Sequence, residues 1–146
     1  MSKSLLLRLT ESEQIELLAL VETFEKSPGF SWSSDKIQQE LSHSQAWGLF
    51  SEGILKAFVL WREGLDAFEI MALGTHPMAR RQGFMKSLLV DLIASCQKDI
   101  LLEVHEFNES AIKLYQDVGF QRSGLRKNYY SDGASAVLMS FLRKDF

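Results

Sequence analysis

Cysteine and proline are scarce in this 146-residue chain, which has one cysteine, Cys96, and two prolines, Pro28 and Pro77. A single cysteine excludes an internal disulfide framework. No Pro-, Gly- or Ser-rich tract marks a linker, so residues 1–146 read as one domain. The three histidines (His43, His76, His105) and Cys96 share no ligand-like spacing, which argues against a metal site such as zinc. No stretch approaches the roughly 18 apolar residues of a membrane span. The apolar run in Met1–Arg8 is too short for a signal peptide. An excess of basic charge is missing as well: 16 Lys and Arg stand against 19 Asp and Glu, a net charge of −3. That leaves no general nucleic-acid footprint. The expectation is a reduced, cytoplasmic protein whose partners are neither membranes nor nucleic acids.

Apolar residues make up 46% of the chain and charged ones 24%, which excludes disorder as the main state. A chain this long buries roughly 70% of its unfolded surface without a staple. Leu5–Leu9 reads as a first strand. Thr10-Glu-Ser-Glu13 is a capping box, opening a helix with Ile15, Leu18, Val21 and Phe24 on one face, widened by Leu17 and Leu20. That helix is expected to stop near Ser27-Pro-Gly29, and a shorter one to follow Ser33 and Ser34 through Ile37 and Leu41. Trp47–Phe50, Leu55–Trp61 and Ala67–Leu73, split by Glu-Gly pairs, suggest an antiparallel meander. A loop over Gly74–Gln82 precedes the clearest helix, with Met85, Leu88, Leu89, Leu92, Ile93 and Cys96 in register. The strand Ile100–Val104 follows. Next comes a helix capped by Asn108 and ended by Gly119, then two strands around Ser131-Asp-Gly133. The order β-α-α-β-β-β-α-β-α-β-β predicts an α/β (α+β) fold. Its sheet of about seven strands is mixed and mostly antiparallel, with a central β-α-β unit and helices on both faces.

Three features carry chemistry. Arg80-Arg81-Gln82-Gly83-Phe84-Met85-Lys86 lies between a strand and the best helix. Unpaired N–H groups at a helix start, a glycine that permits close approach and three cations suit a pyrophosphate. The same residues also fit a solvated basic helix start. Neither Gly-Lys-Ser/Thr nor G-x-G-x-x-G is present. Glu103 interrupts the apolar strand Ile100-Leu-Leu-Glu-Val104, so it either faces a cleft, where a half-buried carboxylate suits a general base, or ends the strand in a salt bridge. Glu69 is the rival carboxylate. Tyr115 reads either as a core tyrosine or as a proton donor to a leaving group. His105 shares the strand face of Glu103, and Tyr129-Tyr130 can stack on a partner or cover the sheet edge.

Taken in order, these residues resemble the GNAT superfamily of N-acetyltransferases, and within it the bacterial ribosomal-protein-alanine N-acetyltransferase group. Thr75-His-Pro-Met-Ala-Arg-Arg-Gln-Gly-Phe-Met-Lys86 resembles the acetyl-CoA pyrophosphate loop. The run Leu102-Glu-Val-His-Glu-Phe-Asn through Leu114-Tyr-Gln-Asp-Val-Gly-Phe120 resembles that family's most specific segment, and Arg126-Lys-Asn-Tyr-Tyr130 continues it. The resemblance implies acetyl-CoA as co-substrate, Glu103 as general base and Tyr115 as general acid. It also implies Asn108 as a cofactor contact, and Leu73, Gly74 and Thr75 as the strand end that pairs with the pantetheine arm. The acceptor it implies is a protein N-terminus. A small-molecule amine is the alternative within enzymes, and a silent acyl-CoA-binding module the alternative outside them. Three positions depart from the pattern: Met85 stands where a small residue is usual, His105 where arginine is, and Ser31-Trp32 where Pro-Trp is.

Overall fold

The structure, a computed structural model, describes residues 5–24 and 32–143. The expected helix stop at Ser27–Gly29 and the departure at Ser31 lie outside the described residues. Seven strands form one sheet: β1 (Leu5–Arg8), β2 (Gln45–Ser51), β3 (Ile54–Glu63), β4 (Ala67–Thr75), β5 (Asp99–His105), β6 (Gln121–Arg126) and β7 (Ala136–Phe141). They lie in the order β1-β2-β3-β4-β5-β7-β6. Every neighbouring pair is antiparallel except β4 and β5, which are parallel and joined through α3 (Phe84–Ser95). The other helices are α1 (Glu11–Glu22), α2 (Ser34–Glu40) and α4 (Glu109–Asp117). No described helix is long and apolar enough to cross a membrane.

Alternation along the strands feeds two cores. Ala57, Val59 and Trp61 of β3 join α3, α4, Leu102 and Val104 in one cluster. Phe58 and Leu60 join α1 and α2 in the other. Glu13 reaches back to the Thr10 N–H at 3.0 Å, as a capping box requires. The buried face of α1 is Leu17, Leu20 and Val21, and Phe24, just past its end, continues the i, i+3, i+4, i+7 spacing. Ile15, expected on that face, is 70% exposed. The helix is apolar at so many positions that its sequence allows two phases, and only the sheet beneath it selects one. Strand β4 runs through Gly74 and Thr75, so the loop expected from Gly74 begins later and contains one 3-10 turn, Pro77–Ala79. At its far end α2 is clamped to β3: Arg62 donates Nε and Nη2 to the buried carboxylate of Glu40, both at 2.6 Å. Ser44 donates to the same group at 2.5 Å.

Candidate active site

A gap in the sheet is the origin of the site. Strand β4 pairs with β3 over most of its length, from Phe68 to Thr75, but with β5 only through Ala67, Phe68 and Glu69. The pairing with β5 stops next to a β-bulge. Leu60 faces Ala72 and Trp61 faces Ile70, which leaves Met71 as an extra residue. The bulge reverses the alternation, sending Ile70 to the α3 core and Ala72 to the α1/α2 core. A bulge bends its strand and raises the local twist. Here it accompanies the divergence of β4 from β5, and between them opens a cleft of about 1340 Å³. Of the residues singled out in the sequence, Leu73, Gly74, Thr75, Arg80, Arg81, Gly83, Phe84, Met85, Lys86, Glu103, Asn108 and Tyr115 line it, and so does the rival carboxylate Glu69.

At one end the cleft is built for an anion. The chain enters α3 through two left-handed residues, Arg81 (φ 64°) and Gly83 (φ 82°). A Cβ on Gly83 would meet nothing within 4 Å, so the glycine leaves its backbone open to the cleft. The first intrahelical bond runs from the Ser87 N–H to the Gly83 carbonyl at 3.0 Å. The N–H groups of Phe84, Met85 and Lys86 therefore lack an intrahelical partner. Met85, the departure from a small residue, buries its side chain in the α3 core and keeps that backbone uncovered. Arg80, Arg81 and Lys86 add positive charge. Gln82 does not line the cleft; its amide donates to the Met78 carbonyl at 3.2 Å. On the facing strand a Cβ at Gly74 would lie 2.8 Å from the Phe24 ring and 2.9 Å from Phe58, so close packing strips the end of β4 of a side chain.

The other end holds the titratable groups. Glu103 lies on the strand face opposite Leu102 and Val104, whereas Tyr115 packs in the same core as those two residues. The carboxylate and the phenol thus approach the gap from opposite faces of the sheet. Glu103 is 23% exposed and pairs with Arg126, Oε1 to Nε 3.0 Å. The Tyr129 hydroxyl is pushed up first by the Glu103 charge and then by burial. Burial pushes the Tyr130 hydroxyl up to about 12, with Glu103 adding to it. Tyr115 is 5% exposed, and burial raises its hydroxyl furthest, so it holds its proton at neutral pH as an acid must. Asn108 lines the cleft while its Oδ1 caps α4 by accepting the Ala111 N–H at 3.3 Å. Cys96 is buried, and no cluster of metal-ligating side chains occurs among the described residues.

The sequence left the partners of Glu103 unnamed. Strand β7 lies between β5 and β6, with Ala136 facing both His105 and Arg126. Ala136 is small and fully buried, which lets the Arg126 side chain cross it toward Glu103. The strand order that creates this neighbourhood has no local signature. Lys36, which also lines the cleft, carried no signal either, whereas Trp32, of the Ser31-Trp32 departure, lines it as well.

The sequence profile of the Acetyltransferase (GNAT) family matches residues 12–120. The chain belongs to this family. GNAT enzymes are acyltransferases that take the acetyl group from acetyl-CoA, and this chain is one of them. The [Ribosomal protein bS18]-alanine N-acetyltransferase of Escherichia coli (strain K12) is 29% identical over 136 residues, 88% of this chain and 92% of its own. The N-alpha-acetyltransferase RimI of Mycobacterium tuberculosis is 33% identical over 116 residues, 74% of this chain and 73% of its own. The crystal structure of the ribosomal-protein-S18-alanine N-acetyltransferase from Escherichia coli superposes with a TM-score of 0.84. It is 24% identical and the match covers 98% of this chain and 97% of that one. The GNAT fold, with its seven-stranded mixed sheet and helices on both faces, is the one expected from the order of elements.

Proposed function

We propose that this GNAT enzyme acetylates a protein N-terminal α-amine, of the ribosomal-protein-alanine type, by direct transfer from acetyl-CoA. The observation that carries this reading is the convergence of Glu103 and Tyr115 on the gap from opposite faces, with the Tyr129-Tyr130 wall beside them. The α3 start supplies what a pyrophosphate needs: unpartnered N–H groups, an open Gly83 and the cations Arg80, Arg81 and Lys86. The β4 edge at Leu73–Thr75, without a strand partner on the β5 side, offers backbone groups to a pantetheine amide. A backbone N–H near Thr75 polarises the thioester carbonyl.

The amine nitrogen attacks the thioester carbonyl carbon, and the C–S bond breaks. Glu103 takes the proton released from the amine, and Tyr115 gives its proton to the departing thiolate. An α-amine has a pKa about 2.5 units below that of lysine, so deprotonation at neutral pH costs about 3.4 kcal/mol less. One carboxylate suffices for such an acceptor. Held side by side, the two reactants gain the entropic advantage of proximity. A ribosomal-protein acceptor sets the reaction in the cytoplasm.

The test is free-thiol release from acetyl-CoA with alanine-starting peptides. Release with free N-termini, and none with blocked ones or with polyamines, is the expected result. Release with polyamines alone makes the enzyme a small-molecule acetyltransferase. Acetyl-CoA binding with no release for any amine makes it a silent binding module.

A further inference from the structure

We propose that His105 and Asp132 form a tie that holds the acceptor wall in place through Tyr130, which makes His105 a positioning residue for acceptor binding. The inference rests on the acceptor reading above and goes beyond it by assigning a role to two residues outside the acid–base pair.

His105 ends β5, and Asp132 lies in the turn between β6 and β7, yet His105 Nε2 and Asp132 Oδ2 are 2.8 Å apart. The tautomer follows from the neighbours. His105 Nδ1 accepts the Phe107 N–H at 3.2 Å, so in the neutral ring Nε2 carries the hydrogen and donates it to Asp132. The second oxygen of Asp132 accepts the Ala134 N–H at 2.8 Å. The His105 hydrogen bond, with that backbone bond, holds the Asp132 carboxyl below its ordinary range. The His105 ring lies against Tyr130, centroids 4.9 Å apart and planes at 26°. Tyr130 meets Tyr129 edge-on at 5.2 Å, and Tyr129 lines the cleft together with Glu103.

The turn is otherwise tied to β5 one residue further on. Glu106 donates its N–H to the Ser135 carbonyl at 2.9 Å and accepts the Ser135 N–H on its carboxylate. Those bonds fix the chain beyond the turn. Within the turn itself, the Tyr130 N–H bonds Ala134 and the Gly133 N–H bonds Tyr130, so it closes on itself. The side-chain bond that fastens this closed turn, and with it the face of Tyr130, to the β5 end is His105–Asp132, while Tyr129 also lies under Arg126 at 5.6 Å. Both tyrosines line the cleft on the Glu103 side, away from the α3 start. Loosening the tie therefore disturbs the acceptor and leaves the donor in place.

Steady-state thiol release, with an alanine-starting free peptide varied at saturating acetyl-CoA and the reverse, tests this. His105→Ala and Asp132→Ala are each expected to raise the peptide KM roughly fivefold to tenfold, the loss of one charge-assisted hydrogen bond. The kcat and the acetyl-CoA KM stay within about twofold, because neither residue touches the reacting atoms. The double variant is no worse than the more severe single one, since both remove the same bond. Asp132→Asn keeps one acceptor oxygen where the carboxylate uses both, so it gives up one of the two bonds and its peptide KM falls between wild type and Asp132→Ala. Calorimetric acetyl-CoA affinity equal to wild type certifies folding of each variant, and His105→Gln replaces any that fails. Unchanged peptide KM in both single variants, multiplying effects in the double one, or an equal rise in the acetyl-CoA KM overturns the tie. A wild-type chain that releases no thiol with any free N-terminus overturns the acceptor reading itself, and the tie falls with it.

Discussion

Glu103 breaks an apolar strand, and that interruption is what made it visible in the sequence. Its surroundings were not visible, because Arg126 reaches it across Ala136 from two strands away. The two surroundings the sequence allowed for Glu103, a cleft and a salt bridge, occur together on one side chain. Tyr115 shows the same merger: it is a core residue and also faces the cleft. Glu103→Gln is expected to lower kcat by roughly 10²–10⁴, the range of a positioned general base, with calorimetric acetyl-CoA affinity unchanged. Wild-type turnover in that variant transfers the role to Glu69. Tyr115→Phe slows thiol release in the same assay; an unchanged rate returns Tyr115 to the core alone. Gly83 was legible as a helix-start glycine, and its open side and φ of 82° give it a test. Gly83→Glu puts a carboxylate where the helix start favours anions and adds about 1–2 kcal/mol of backbone strain. Acetyl-CoA affinity by calorimetry should fall at least about tenfold; equal affinity removes the pyrophosphate from this loop.

Among the elements, those with one dominant pattern were legible and those with redundant apolar residues were not. Helix α3 carries a single stripe, and the expected core positions Met85, Leu88, Leu89 and Leu92 are buried. Helix α1 has apolar residues on more than one side, and there the expected face was misphased by Ile15. The bulge at Met71 lies in the unbroken apolar run Ile70–Leu73, where no alternation exists to be interrupted. The site was thus readable as a set of residues, whereas the gap that joins them was not. The clamp between α2 and β3 offers a separate test of an element's anchoring. Glu40 is buried, and the Arg62 hydrogen bond holds its carboxyl below the usual range. A depressed folded-state pKa contributes stability above the unfolded value, lost as pH falls through the folded one. Glu40→Gln should therefore lower the stability from urea unfolding by about 1–3 kcal/mol at pH 7, toward the lower end because Arg62 is half exposed. The difference from wild type should shrink once the pH drops below about 4.3. A difference constant down to pH 2 would assign the effect to packing.

For the molecule as a whole, the two cores on either side of one sheet hold the halves of the cleft in register while β4 and β5 part between them. The net charge of −3 hides a division along that cleft: Arg80, Arg81 and Lys86 stand at the α3 end, Glu69 and the Glu103–Arg126 pair at the other. A ligand that bridges both halves binds only the folded chain, so acetyl-CoA should raise the unfolding temperature. At about 100 times its Kd the added stability is about 2.7 kcal/mol. For a chain of this size that is roughly 6–10 °C in a thermal melt. An unmoved melting temperature at that concentration contradicts binding to the native cleft.

A crystal structure of the chain with a conjugate of coenzyme A and an alanine-starting peptide tests the central claim most directly. The prediction is the pyrophosphate on the N–H groups of Phe84–Lys86, the sulfur in the gap between Leu73 and Val104, and the Glu103 carboxylate within hydrogen-bond reach of the peptide nitrogen. A nucleotide bound on any other surface, or a Glu103 turned away from that nitrogen with Tyr115 sealed behind packed side chains, would contradict it.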